Sequence, residues 1–128
     1  ESMGIWTWWK ERWARPPQSI EPEMNEQVQA LCQVLGELIV TLDNDGETHW
    51  RDWMAKSLAA IEANDLHGVQ YLKGAYGGMG SFNDLVIGQR MDDDGLTWAP
   101  DAQSTNDQLD ALRSRAYALA KEILDNTP

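Results

Sequence analysis

Apolar residues recur every three or four positions along most of the chain, and this spacing predicts amphipathic helices. The longest pattern covers residues 20–43. Its apolar face consists of Val28, Leu31, Cys32, Leu35, Leu38, Ile39 and Leu42. Pro22 suits the first turn of a helix, and the acidic residues around it favour the positive end of the helix dipole. We therefore predict that this helix forms the centre of the core.

Three further helices follow from the same spacing. Residues 48–63 place apolar and small side chains on one face: Trp50, Trp53, Met54, Ser57, Leu58 and Ile61. Asn64 is expected to cap a short helix over residues 65–73. A last helix is predicted over residues 105–125, because Thr105 and Gln108 have the spacing of a capping box. Its buried face would consist of Leu109, Leu112, Ala116, Leu119, Ala120 and Ile123.

Closely spaced glycines interrupt the helical pattern between residues 74 and 88. Such a cluster indicates a sharp change of chain direction, since glycine adopts positive φ angles without steric cost. Asn83 and Asp84 can bond to the backbone of this turn and Ser81 can cap, and Met79 and Phe82 are expected to fill the core between helices. Residues 85–87 could form a short strand. The sequence thus predicts an all-α bundle of four to five helices with one irregular glycine segment and room for one strand.

Charge divides the chain into two predicted segments, residues 1–16 and residues 17–128. The first is rich in tryptophan and has more basic than acidic residues, whereas the whole chain carries a net charge of −11. Trp6, Trp9 and Trp13 share one helical face. This face is expected to dock on the acidic domain or on a second copy, and a membrane surface is the alternative.

The charge and the cysteine content also limit the function. So acidic a surface disfavours nucleic acid, whose binding depends on Lys and Arg, and it would attract basic proteins. Cys32 is the single cysteine, so no intramolecular disulfide can form and a reducing, cytoplasmic setting is expected. Because Cys32 falls within the apolar face of its helix, we expect a buried and unreactive thiol.

No pattern in the sequence indicates a catalytic, cofactor or metal site, so we expect a protein that is not an enzyme. The glycine cluster follows a helix and lacks the lysine of a phosphate-binding loop. Residues 43–47 lack the ligand spacing of a calcium loop, and His49 and His67 lie on different helices without a third ligand. The enzymatic alternative is a metal-assisted hydrolase in which His67, Asp84 and Asp92 converge.

A family resemblance rests on the block GGMGSFNDL at residues 77–85, followed by Asn106, Leu109, Leu112 and Arg113 on the last helix. Over residues 25–125 the chain resembles a family of small bacterial proteins of unknown function, with a helix pair, this signature and a C-terminal helix. Its members look like the compact acidic immunity proteins that accompany secreted antibacterial toxins. The resemblance implies no catalytic residue.

We therefore expect an immunity protein that occludes the active site of a cognate basic toxin. The alternative is a structural or adaptor module that oligomerises or docks at a membrane through residues 1–16. Residues 89–102 are predicted to form an acidic loop with an aromatic anchor, and the turn at residues 82–84 is expected beside it. The predicted partner-binding residues are Phe82, Asn83, Asp84, Asp92, Asp93, Asp94 and Trp98.

Overall fold

A computed structural model describes residues 18–127, so the predicted Trp-rich segment of residues 1–16 lies outside the described residues. The described part is mostly helical, which confirms the predicted fold class. Its α-helices are α1 (Asn25–Asp45), α2 (Thr48–Glu62), α3 (His67–Lys73) and α4 (Ala102–Asp125). Short 3-10 helices cover Pro22–Met24 and Phe82–Asp84, and two strands, β1 (Gln89–Asp92) and β2 (Gly95–Trp98), form an antiparallel hairpin.

Helix α1 lies at the centre of the core and packs against both α2 and α4. The leucines of its predicted apolar face, Leu31, Leu35, Leu38 and Leu42, are fully buried. Met54 of α2 and Leu109 of α4 meet them from the neighbouring helices. The apolar faces read from the sequence are thus confirmed, because burial of one face drives the packing of an amphipathic helix.

The predicted helix starts are wrong at two places. Helix α4 begins at Ala102, and the Thr105 hydroxyl donates to the Asp101 carbonyl at 3.0 Å from inside the first turn, so Thr105 is not a cap. Asn64 has a φ angle of 60° and accepts instead from the Ile20 amide at 3.3 Å. At the start of α3 it is the carboxylate of Asp65, and not the side chain of Asn64, that accepts from the His67 amide, at 3.0 Å.

The glycine turn leads into the 3-10 helix Phe82–Asp84. Asp84 accepts from the Gly80 amide at 2.9 Å and Ser81 accepts from the Asn83 amide at 3.3 Å, as predicted. Phe82 is fully buried beside Trp50, but the expectation that Met79 fills the core is wrong, because its side chain is fully exposed. Left-handed glycines on both sides of Met79 carry the chain outward at that point.

The strands form after residues 85–87, within the stretch predicted to be an acidic loop. Asp92 accepts from the Asp94 amide at 2.9 Å, and Gly95 follows with a φ angle of 109°. Asp at the first position and a glycine after the central pair are typical of a tight turn. The three adjacent aspartates therefore form the turn of a hairpin, and residues 85–87 remain outside any strand.

Candidate protein-binding surface

Arg113 of α4 fixes the segment that follows the glycine turn. Its guanidinium donates to the carbonyl oxygens of Phe82 at 2.9 Å and Leu85 at 2.8 Å, and it pairs with Asp110 on its own helix. The Arg113 side chain is only 12% exposed. A buried cation that bonds to several fixed acceptors holds them in one geometry. One side chain of α4 thus holds two carbonyl groups of this segment, one at the start of the 3-10 helix and one just after its end.

Asn106 fixes the same segment further along. Its side-chain nitrogen donates to the Ile87 carbonyl at 2.8 Å, and its side-chain oxygen accepts from the Ile87 amide at 2.9 Å. Asp45, at the end of α1, accepts from the Gly88 amide at 2.9 Å. The Asn106 amide thereby satisfies both backbone groups of Ile87, as a residue of a neighbouring strand would.

Two close approaches complete this attachment. The Tyr76 hydroxyl donates to the Arg113 carbonyl at 2.7 Å, and burial raises the pKa of Tyr76 well above its usual range, against the opposing effect of the Arg113 charge. Gly88 has a φ angle of 88°, and a Cβ atom there would lie 2.8 Å from the Cβ of Ala102. Only glycine fits this contact without displacement.

The hairpin that starts after Gly88 has an apolar face exposed to solvent. In its register Gln89 lies opposite Trp98, and Met91 lies opposite Leu96. Alternation along each strand places these four side chains on one face. Met91 is 79% exposed, Leu96 56% and Trp98 53%. Antiparallel sheets normally turn their apolar face to the core, so this hairpin shows the reverse of the usual arrangement.

The other face of the hairpin is polar and attached to α1. Arg90 lies on that face, and its guanidinium is 3.3 Å from the carboxylate of Asp45, which is 17% exposed. At the base of the hairpin the Ala99 amide donates to the Gly88 carbonyl at 2.7 Å. These contacts hold the polar face against the end of α1, and the apolar face lies on the opposite side of the hairpin.

A groove continues the apolar face along α4. It has a volume of about 510 Å³ and includes the side chains of Val86, Trp98 and Pro100 together with Asp110 and Arg113 of the helix. Val86 is 52% exposed. Val86, Met91, Leu96 and Trp98, with the turn residues Asp92, Asp93 and Asp94, are called the hairpin surface below. They include four of the six large apolar side chains exposed within residues 18–127. An apolar patch rimmed by charge is typical of a protein-binding surface.

The structure separates the predicted partner-binding residues into three groups. Asp92, Asp93, Asp94 and Trp98 lie together on the hairpin surface. Asn83 is exposed and lines a different groove of about 390 Å³, next to Lys73 and Tyr117, and this groove shares no residue with the one beside Trp98. Asp84 is also exposed but bonds within its own turn, and Phe82 has no exposed surface.

Sequence reasoning missed Val86, Met91 and Leu96. The sequence does contain a signal for the hairpin. Short runs with apolar residues flank the pair Asp94-Gly95, and this pattern is typical of a hairpin.

The remaining candidate groups are the possible metal ligands and the thiol of Cys32. No three His, Cys, Asp or Glu side chains in this part of the chain are grouped so as to hold a metal ion. Cys32 is half-buried, and burial, followed by the charge of Glu62, raises the pKa of its thiol. A thiol with a raised pKa is a weak nucleophile at neutral pH. None of the described helices has the length and apolar character needed to cross a membrane.

The fold and surface together define a small acidic helical domain with an exposed, partly apolar hairpin. Residues 43–95 are similar to a family described as Domain of unknown function (DUF6966). The match runs from the end of α1 to the turn of the hairpin, and it includes the glycine turn but not Asn106 or Arg113. No curated protein and no solved structure is significantly similar to the chain.

Proposed function

We propose that this protein is a protein-binding domain that recognises a basic partner through the hairpin surface, and that it acts as an immunity protein by covering the active site of a toxin. The observation that supports binding is the cluster of Met91, Leu96 and Trp98 on a face that residues 18–127 leave exposed. Buried aromatic and aliphatic side chains at the centre of an interface supply most of the affinity.

Charge favours a basic protein over other occupants. Asp93 and Asp94 form the exposed tip next to the apolar face, in a chain whose net charge is −11. A second copy would bring together two chains that each carry a net charge of −11, and like charges across an interface cost affinity. A basic surface would be steered to the tip and would then cover the apolar face.

The test begins with the partner that the tagged protein retains from its host, identified by mass spectrometry. The substitution Trp98→Ala should raise the Kd for that partner about 30-fold, as expected for an interface anchor. Asp93→Ser combined with Asp94→Ser should lower the association rate about tenfold at an ionic strength of about 0.1 M, where the screening length is about 10 Å. Asp92 is left intact in this variant because its carboxylate holds the turn.

The matched control carries Glu23→Ser and Glu26→Ser, the same change of charge at the opposite end of α1. These residues lie well beyond the screening length of salt from the hairpin, so the association rate should stay near that of the unaltered protein. Expression of the partner alone should stop growth, and co-expression of the unaltered protein should restore it. A partner whose affinity is the same for the control and the hairpin variants, or one that is harmless when expressed alone, would contradict the proposal.

A further inference from the structure

The hairpin offers a second binding element besides its apolar face, namely the backbone edge of β2. The sheet within residues 18–127 has two strands only, and β2 pairs with β1 on one side. In an antiparallel strand, alternate residues direct their N–H and C=O groups to the opposite side. No other described strand meets that side of β2, so its outward backbone groups are available to a strand from another molecule.

The edge of β1 is less accessible than that of β2. The Gln89 carbonyl already accepts from the Arg90 guanidinium at 3.0 Å. The chain that precedes β1 lies against α4, where Asn106 occupies both backbone groups of Ile87. A strand extending along β1 would meet α4 where Asn106 holds Ile87, whereas residues 95–97 of β2 precede the groove that Trp98 shares with α4.

We propose that the partner binds by adding an extended segment to the edge of β2, with apolar side chains on the face of Leu96 and Trp98 and with basic side chains near the aspartate tip. This inference rests on the proposed function, because it assigns the mode by which the same surface binds. Strand addition combines main-chain hydrogen bonds with pockets for alternate side chains. The segment is therefore expected to carry apolar residues at alternate positions over at least the length of Gly95–Trp98, with basic residues at the end that lies beside the aspartate tip.

The probe is a pair of synthetic octapeptides with equal composition. One alternates valine and serine over six residues and ends in two lysines, and the other has three valines, then three serines, and ends in the same two lysines. Only the alternating peptide can place all its valines on one face of a strand. It should bind the full chain at least tenfold more tightly than the block peptide, and it should slow hydrogen exchange of backbone amides in β2 as measured by NMR.

Equal affinities for the two peptides, or unchanged exchange throughout β2, would overturn strand addition. The proposed function would survive that result if the captured partner still lost affinity on Trp98→Ala. Conversely, strand addition by the alternating peptide with no effect of Trp98→Ala on the captured partner would count against the proposed function alone.

Sedimentation of the protein without peptide tests a second copy as the occupant. A dimer that the peptide dissociates would show that β2 of another chain uses this edge, and it would overturn the assignment to a basic segment. A monomer at the same concentration is the expected result, because two chains with a net charge of −11 each repel one another.

Discussion

Two neighbouring stretches of the chain, residues 82–88 and the hairpin of residues 89–98, differ in how their polar and apolar groups are satisfied. In the first, carbonyls and amides bond to side chains of Arg113, Asn106 and Asp45. In the second, the strands pair with each other and leave an apolar face and a backbone edge exposed. The first stretch is thus completed by this chain itself, whereas the second keeps exposed the groups that the proposed partner would use.

If residues 82–88 are completed by the chain itself, Arg113 should make the largest contribution to stability among the side chains that hold them. Arg113→Leu removes the donors for the Phe82 and Leu85 carbonyls and should lower the free energy of unfolding by about 3 kcal/mol. Urea unfolding followed by circular dichroism measures this loss. Arg115→Leu, on the same helix but exposed, is the control and should change the free energy by less than about 0.5 kcal/mol. Similar losses of free energy for the two variants would mean that the bonds from Arg113 to residues 82 and 85 do not stabilise the fold.

A smaller effect is expected at Asn106. Asn106→Ala removes both bonds to Ile87 and should cost about 2 kcal/mol, because two partly buried backbone groups lose their partners. Gln103→Ala, three residues earlier on the exposed side of α4, should cost less than about 0.5 kcal/mol. Chemical denaturation of both variants measures the two changes in the free energy of unfolding. A loss for Asn106→Ala as small as that for Gln103→Ala would show that Asn106 does not hold residues 82–88 in place.

The smallest effect on stability is expected for the hairpin. Met91→Thr together with Leu96→Thr should change the free energy of unfolding by less than about 1 kcal/mol, because both side chains are already largely in water. The fully buried Leu38 provides the reference, and Leu38→Ala should cost about 3 kcal/mol. Thermal unfolding of the two variants compares them. A cost above about 2 kcal/mol for the threonine pair would show that the face packs within the molecule.

The sequence predicts the helices better than the hairpin for a physical reason. A helix such as α1 buries one face, so its leucines recur every three or four positions and reveal the helical period. The residues of β1 are exposed at every position, so no alternation of burial marks the strand. The charge of Asp92–Asp93–Asp94 predicts a solvated acidic loop, but Asp before a turn and Gly95 after it fit hairpin geometry as well.

The attachment of residues 82–88 could be predicted only in part. Ser81 and Asp84 act within their own turn, and such local bonds follow from residue type. Asn106 and Arg113 appear in the sequence as part of a family resemblance, but their bonds join residues 19 and 28 positions apart. A pairing of this kind depends on the packing of α4, which local patterns do not specify.

The bond pair between Asn106 and Ile87 also bears on the order of events during folding. Residues 82–88 take their partners from α1 and from α4, and Gly88 bonds to Asp45 across 43 positions of sequence. Contacts of such separation form slowly because the intervening chain must first be closed into a loop. The hairpin needs only its own two-residue turn. We therefore expect the helices and the hairpin to form first, and residues 82–88 to be fixed against α1 and α4 as the last event of folding.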